Sequence, residues 1–190
     1  MSNISKIRFL GLVTLFVFPV PGYFLLNYFQ DTYWQQFLDL EHINAIAIGY
    51  GIEFGIAYAF IAFLFMKAPI FESLPNKVDR ILNNLPLTYL DGIFLSLCAG
   101  IGEELLFRAG IQPLLGPWIT SVLFVALHGY LNPWNLTFSL YGLIVLPFIF
   151  VISFGYVHFG LWFAIGAHFS YDAVLFTMMI HEKKSRRHLF

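Results

Sequence analysis

At 190 residues the chain is long enough for one compact unit, and 59% of it is hydrophobic while only 11% is charged. Soluble domains carry roughly 25% charged residues, so the composition excludes that class and indicates an integral membrane protein. A net charge of −1 gives no reason to expect nucleic-acid binding, and the single cysteine, Cys98, excludes an intramolecular disulfide and a cysteine-based zinc site.

A helix crossing the hydrocarbon needs about 20 apolar residues, and six such segments follow in order. Segment one, about Ile7 to Tyr28, lacks a small-x-small cleavage site and is expected to stay as an anchor, kinked at Pro19 and Pro21. Segment two, about Ile43 to Met66, carries Gly51-x-x-x-Gly55, a spacing suited to close helix packing. Segment three runs from about Leu87 to Ile111 and ends near Pro113. Segment four, about Pro117 to Leu131, is short, opens on a proline that suits a first helical turn and stops before Asn132-Pro133. Segments five and six run from about Leu136 to Tyr156, with Pro147 inside, and from about Gly160 to Ile180. Strands are excluded by length, since transmembrane strands are about half as long and alternate. The fold class is therefore all-α: a polytopic membrane helical bundle of about six transmembrane helices in one domain over residues 1–190. Two N-terminal spans and a connection occupy 1–86, a core formed by the last four spans 87–180, and a basic tail 181–190.

Lys and Arg near the span ends give the orientation. Lys6 and Arg8 precede segment one, Lys67, Lys77 and Arg80 lie in the connection after segment two, and Lys183, Lys184, Arg186 and Arg187 follow segment six. The Gln30–His42 connection has Asp31, Asp39 and Glu41 but no basic residue. Six spans with both termini cytoplasmic fit this distribution, in a multi-pass protein of the plasma (inner) membrane whose neighbour is the lipid bilayer.

Against this apolar background Glu103, Glu104 and Arg108 are costly, at roughly 2.5–3.5 kcal/mol or more for one charged side chain at the bilayer centre. Counting 1.5 Å per residue places Glu103 and His168 roughly 12 Å, and His128 roughly 17 Å, below the same face. On a helix residues four apart share a face, so Glu104 sits over Arg108 and His168 over Asp172. Glu103 points about 100° away from Glu104 with no sequence-local partner, a setting that suits a carboxylate to general-base work. His128 follows Phe124 by four residues and has no local partner either.

The ordered set Glu-Glu-x-x-x-Arg at Glu103–Arg108, Phe-x-x-x-His at Phe124–His128 and His-x-x-x-Asp at His168–Asp172 resembles the three motifs of the CPBP (Abi) intramembrane proteases, relatives of the CAAX prenyl endopeptidase. The resemblance covers roughly residues 87–180. It implies a glutamate-dependent peptide hydrolysis in a protein or peptide substrate, without metal or other cofactor. Glu103 and His128 would hold and deprotonate a water, His168 with Asp172 would stabilise the oxyanion, and Glu104 and Arg108 would position the site. The CAAX-cleaving members have asparagine where this chain has Asp172. An ionised aspartate cannot donate to an oxyanion, so Asp172 is either protonated or serves to hold the His168 tautomer.

Blander readings stand beside these. Glu104 and Arg108 would equally make a helix-locking ion pair, and His168 with Asp172 a structural hydrogen bond. Glu53, in the middle of segment two, is expected to be a further buried carboxylate that lines the cavity or bonds another helix. Asp91 and His158 are expected to be structural residues near water at span ends, and His42, His181 and His188 to be solvated. The 23 phenylalanines read as lipid contact and helix packing. Three other functions compete with the protease. One is a metal-dependent membrane hydrolase with Glu103, His128 and His168 as ligands and Asp172 behind them, although no His-Glu-x-x-His is present. The others are a non-enzymatic immunity or scaffold protein, and a proton-coupled transporter, which the missing inverted repeat disfavours.

Overall fold

A computed structural model describes residues 3–68, 87–132, 134 and 136–187. Lys77, Arg80, Pro133 and His188 lie outside the described residues. Among those described every regular element is helical: α1 (Asn3–Val17), α2 (Pro19–Gln30), α3 (Trp34–Phe37), a 3-10 turn (Leu40–His42), α4 (Ala45–Met66), α5 (Tyr89–Glu104), a π-helical turn (Leu105–Ile111), α6 (Gln112–Leu127), α7 (Leu136–Phe159) and α8 (Leu161–Arg187). Segment one breaks at Phe18, one residue before Pro19, which cannot supply the amide hydrogen a continuous helix needs.

Five helical runs are long and apolar enough to cross a membrane: Asn3–Gln30, Ala45–Met66, Tyr89–Leu127, Ser139–Phe159 and Leu161–Ser185. The third contains both segment three and segment four. Its helical conformation continues past Pro113 and breaks only at Gly116, whose φ of 75° and ψ of 168° are open to glycine and strained for other residues. A straight helix would hold Glu103 and His128 roughly 37 Å apart, yet their side chains are 3.3 Å apart. The chain therefore reverses at Gly116, and the six expected segments are recovered as a hairpin plus four further runs.

The ends of the helices sort by charge. Arg8 at the start of α1 pairs with Asp91 at the start of α5 (2.7 Å), and Lys67 after α4 pairs with Glu182 late in α8 (2.8 Å). Lys184 lies over the Tyr89 ring, 4.1 Å from its centre. These form one end of the bundle. At the other, the Trp162 indole N–H donates to the Asp39 carbonyl (2.8 Å), and Pro113, Pro117 and Gly160 line one cavity of about 540 Å³ with Gln36 and Asp39. Asp91 is buried rather than watered. It caps α5 through Thr88 as well as holding Arg8. The basic stretch expected as a tail after Ile180 instead continues α8 as far as Arg187.

α8 is the central helix. It meets α4 through Gly51 and Gly55, where an added Cβ would collide with the Phe163 and Ala167 backbone, so the small-residue spacing in segment two has the close contact it was read for. Phe148, Ile149 and Ile152 of α7 and Phe163, Ala164 and Ala167 of α8 form the main apolar core with Phe124 of α6. α6 carries only 11 residues after the Gly116 reversal, so it descends roughly 16 Å and ends inside the bundle. That early end is what places His128 at depth.

Candidate active site

Glu103 and Glu104 occupy the last turn of α5, immediately before the π-helical turn, where Gln112 N–H reaches back five residues to the Phe107 carbonyl. Adjacent helical residues diverge by about 100°, and here they serve different partners. Glu103 Oε2 faces His128 Nε2 at 3.3 Å. Glu104 is fully buried and holds two groups, accepting from His168 Nδ1–H through Oε1 (2.7 Å) and lying 3.0 Å from Arg108 Nε through Oε2. His168 Nε2 lies 3.6 Å from Asp172 Oδ2.

His128 is set by the way α6 ends. It is the C-cap residue, followed by Gly129 at φ 80°. Gly129 N–H donates to the Ala126 carbonyl (2.9 Å) and Tyr130 N–H to the Val125 carbonyl (3.1 Å). This is the Schellman pattern, in which a left-handed glycine satisfies the last carbonyls of the helix. Within that frame His128 Nδ1–H donates to the Phe124 carbonyl (2.8 Å), and its ring stacks on Phe124 with centres 4.2 Å apart. With Nδ1 committed to a carbonyl, Nε2 is the nitrogen turned to Glu103, and one proton is shared between them or passed through a bridging group.

Phe124 does more than its place in a spacing indicated. Its ring packs edge-on against His168 (5.9 Å) and Phe107 (4.8 Å), and the Arg108 guanidinium lies 5.5 Å from its centre. One buried ring thus touches both histidines and the arginine. The buried guanidinium carries the Glu104 charge contact and this aromatic face, while its Nη1 and Nη2 make no hydrogen bond among the described residues. Tyr130 was also missed by the sequence reading. Its ring lies parallel to His128, 5° between planes at 6.4 Å. The phenol sits just beyond α6, on the residue after Gly129. Its one sequence signal was the Gly129 that precedes it.

The structure thus brings Glu103 to His128, and His168 to Glu104 and Asp172. It alters the expected pairing of His168. The group in hydrogen-bond range is Glu104 on another helix, while the Asp172 oxygen four residues away lies beyond it. The arrangement can hold a polar reactant at Glu103 and His128, whose side chains remain partly open at 14% and 34%, against a wall of buried charge. No group of three or more His, Cys, Asp and Glu side chains among the described residues is placed to hold a metal ion. Glu53 is not part of the site. It is exposed on α4, which corrects the expectation of a buried carboxylate.

Comparison with known proteins places the same stretch. An uncharacterized protein of Bacillus subtilis (strain 168), YpbD, is 37% identical over 97 residues, which is 50% of this chain and 48% of that protein. The chain therefore spans about half the length of the curated relative it matches. No solved structure matches. The family described as type II CAAX prenyl endopeptidase Rce1-like matches residues 85–174, and all three motifs, from Glu103 to Asp172, fall inside that match. This is the CPBP (Abi) family that the motifs resemble, and its match to this chain runs over residues 85–174.

Proposed function

We propose that the protein is a glutamic intramembrane endopeptidase that cleaves a peptide bond near the membrane, in C-terminal processing of a lipidated, sorting-tail or bacteriocin-type precursor. The observation that carries this reading is the Glu103–His128 pair, 3.3 Å apart and partly open, beside a histidine fixed by a buried carboxylate. Water held on the open side of the pair, within reach of both Glu103 Oε2 and His128 Nε2, loses a proton to the pair as its oxygen attacks the scissile carbonyl carbon. The carbonyl oxygen gains the negative charge. His168 meets it as an imidazolium: its Nδ1–H is committed to Glu104, and its Nε2–H, only loosely engaged by Asp172, donates to the oxyanion. The tetrahedral adduct then collapses, the C–N bond breaks, and the leaving amine takes the proton that Glu103 and His128 removed from water.

Glu104 and Arg108 position His168 and touch no reacting atom. Asp172 need not donate to the oxyanion, since Glu104 already orients the His168 ring and its Nε2–H supplies the hydrogen bond. The basic residues at one end of the bundle support the orientation with both termini cytoplasmic.

The test is mass spectrometry of membrane-anchored peptides from cells carrying wild-type protein or Glu103→Gln at equal abundance. A species trimmed at its C-terminus only by the wild type identifies reaction and substrate together. Identical peptides from both cells would defeat the endopeptidase reading and leave an immunity or scaffold role.

A further inference from the structure

Glu53 is the carboxylate for which the site has no use. α4 buries Ala47, Gly51, Gly55, Ala59 and Ala62, and at 100° per residue these five centre on the line that meets α8. Glu53 stands on the opposite side of the same helix and is exposed. It lies eight residues into a 22-residue span, roughly 12 Å below its start. It therefore points away from the bundle at a depth where lipid is the neighbour. Ionisable side chains inside a span face a protein interior or a partner, because hydrocarbon offers no hydrogen bond.

The rest of that face has the pattern of a helix seam. Ile46, Tyr50, Glu53, Ala57, Phe60 and Leu64 follow one another at alternating steps of four and three, and all six are exposed. That 3.5-residue repeat is the one that keeps two helices in register along a left-handed pair. Small residues sit one turn to either side of Glu53. A Cβ added at Gly49 would meet nothing within 4 Å, and Ala57 is open. Two backbones can therefore approach most closely where the carboxyl lies.

We propose that this face of α4 is the contact between two copies of this chain, related by a twofold axis along the membrane normal, with the two Glu53 carboxyls hydrogen-bonded to each other. The occupant follows from complementarity at one depth. Copies inserted in the same orientation and paired about such an axis bring each residue of the seam opposite itself. The second copy therefore supplies a carboxyl at the height where the first needs a partner. A carboxylic acid is complementary to a carboxylate: one donates, the other accepts, and the pair holds one proton between them. The contact lies on the side of α4 away from α8, so it leaves Glu103, His128 and His168 untouched.

The experiment reconstitutes the full chain in liposomes, labels it sparsely with one fluorophore per copy, and counts photobleaching steps as lipid dilution increases. In parallel, Ala57→Cys and Trp118→Cys are oxidised in a Cys98→Ser background, Trp118 being exposed on another helix. The wild type should be dimeric, Glu53→Leu should shift the dimer to monomer at lipid dilutions about tenfold lower, and Glu53→Gln, which still donates and accepts, should remain dimeric. Cysteine at 57 should cross-link and cysteine at 118 should not. A wild type that is monomeric at every dilution overturns the proposal. So does a dimer that Glu53→Leu leaves unchanged, or one that cross-links through 118 rather than 57. Since Glu53 is exposed on the side of α4 away from α8, Glu53→Leu should keep the wild-type melting temperature, which separates lost pairing from lost fold.

Discussion

Glu103 and Glu104 are neighbours in sequence and live in different surroundings. Glu104 is sealed, with no exposed side-chain surface, and spends both oxygens on His168 and Arg108. Glu103 is partly open and meets one imidazole in direct contact at 3.3 Å, leaving the open side of the pair for a third group. One helix turn therefore divides the labour, with the inner carboxylate holding the structure and the outer one free for chemistry. Removing the inner charge strands a buried guanidinium, whereas removing the outer one strands nothing.

The sharpest way to break that comparison is Glu104→Ala. An uncompensated buried Arg108 should cost about 3–5 kcal/mol, read as a large fall in melting temperature and in abundance, with activity lost as a consequence. His128→Ala should instead lower the cleavage rate about 10²–10⁴-fold while the melting temperature changes little, because the ring lies at the open edge of the site. Phe124→Leu sits between the two sides. Without the ring that stacks on His128 and abuts His168, cleavage should fall roughly tenfold, with about 0.5–1.5 kcal/mol of stability lost beyond the packing change. Asp172→Asn should change the rate by less than about tenfold, since its 3.6 Å approach to His168 is outside hydrogen-bond range. A total loss there would move the orienting role from Glu104 to Asp172. Smallest of all, Lys67→Ala removes a half-exposed ion pair with Glu182 and should cost no more than about 1 kcal/mol in thermal unfolding, with cleavage unchanged.

What the sequence revealed and what it hid follow a physical division. Local rules were sufficient for the apolar runs, the break at Pro19, the close packing through Gly51 and Gly55, and the Glu104–Arg108 pair, because each depends on residues within a turn or two of one helix. The Glu104–His168 bond spans 64 residues and joins two helices, so no spacing rule could show it. The nearer Asp172 drew the assignment instead. The length of the third run was also hidden. Pro113 reads as a stop, but the π-helical turn before it and the first turn of α6 absorb the missing amide, and the reversal waits for Gly116. Glu53 was misplaced for a different reason. Hydropathy gives depth, whereas the side of the helix becomes clear only once α8 is seen against Gly51 and Gly55.

The central claim is most directly tested by Glu103→Gln in purified, bilayer-reconstituted protein, with melting temperature and cleavage of the processed peptide measured on the same sample. The expected result is a protein that melts with the wild type and cleaves at least about a hundredfold more slowly. Cleavage at the wild-type rate would contradict it, as would a melting temperature that falls as far as that of Glu104→Ala.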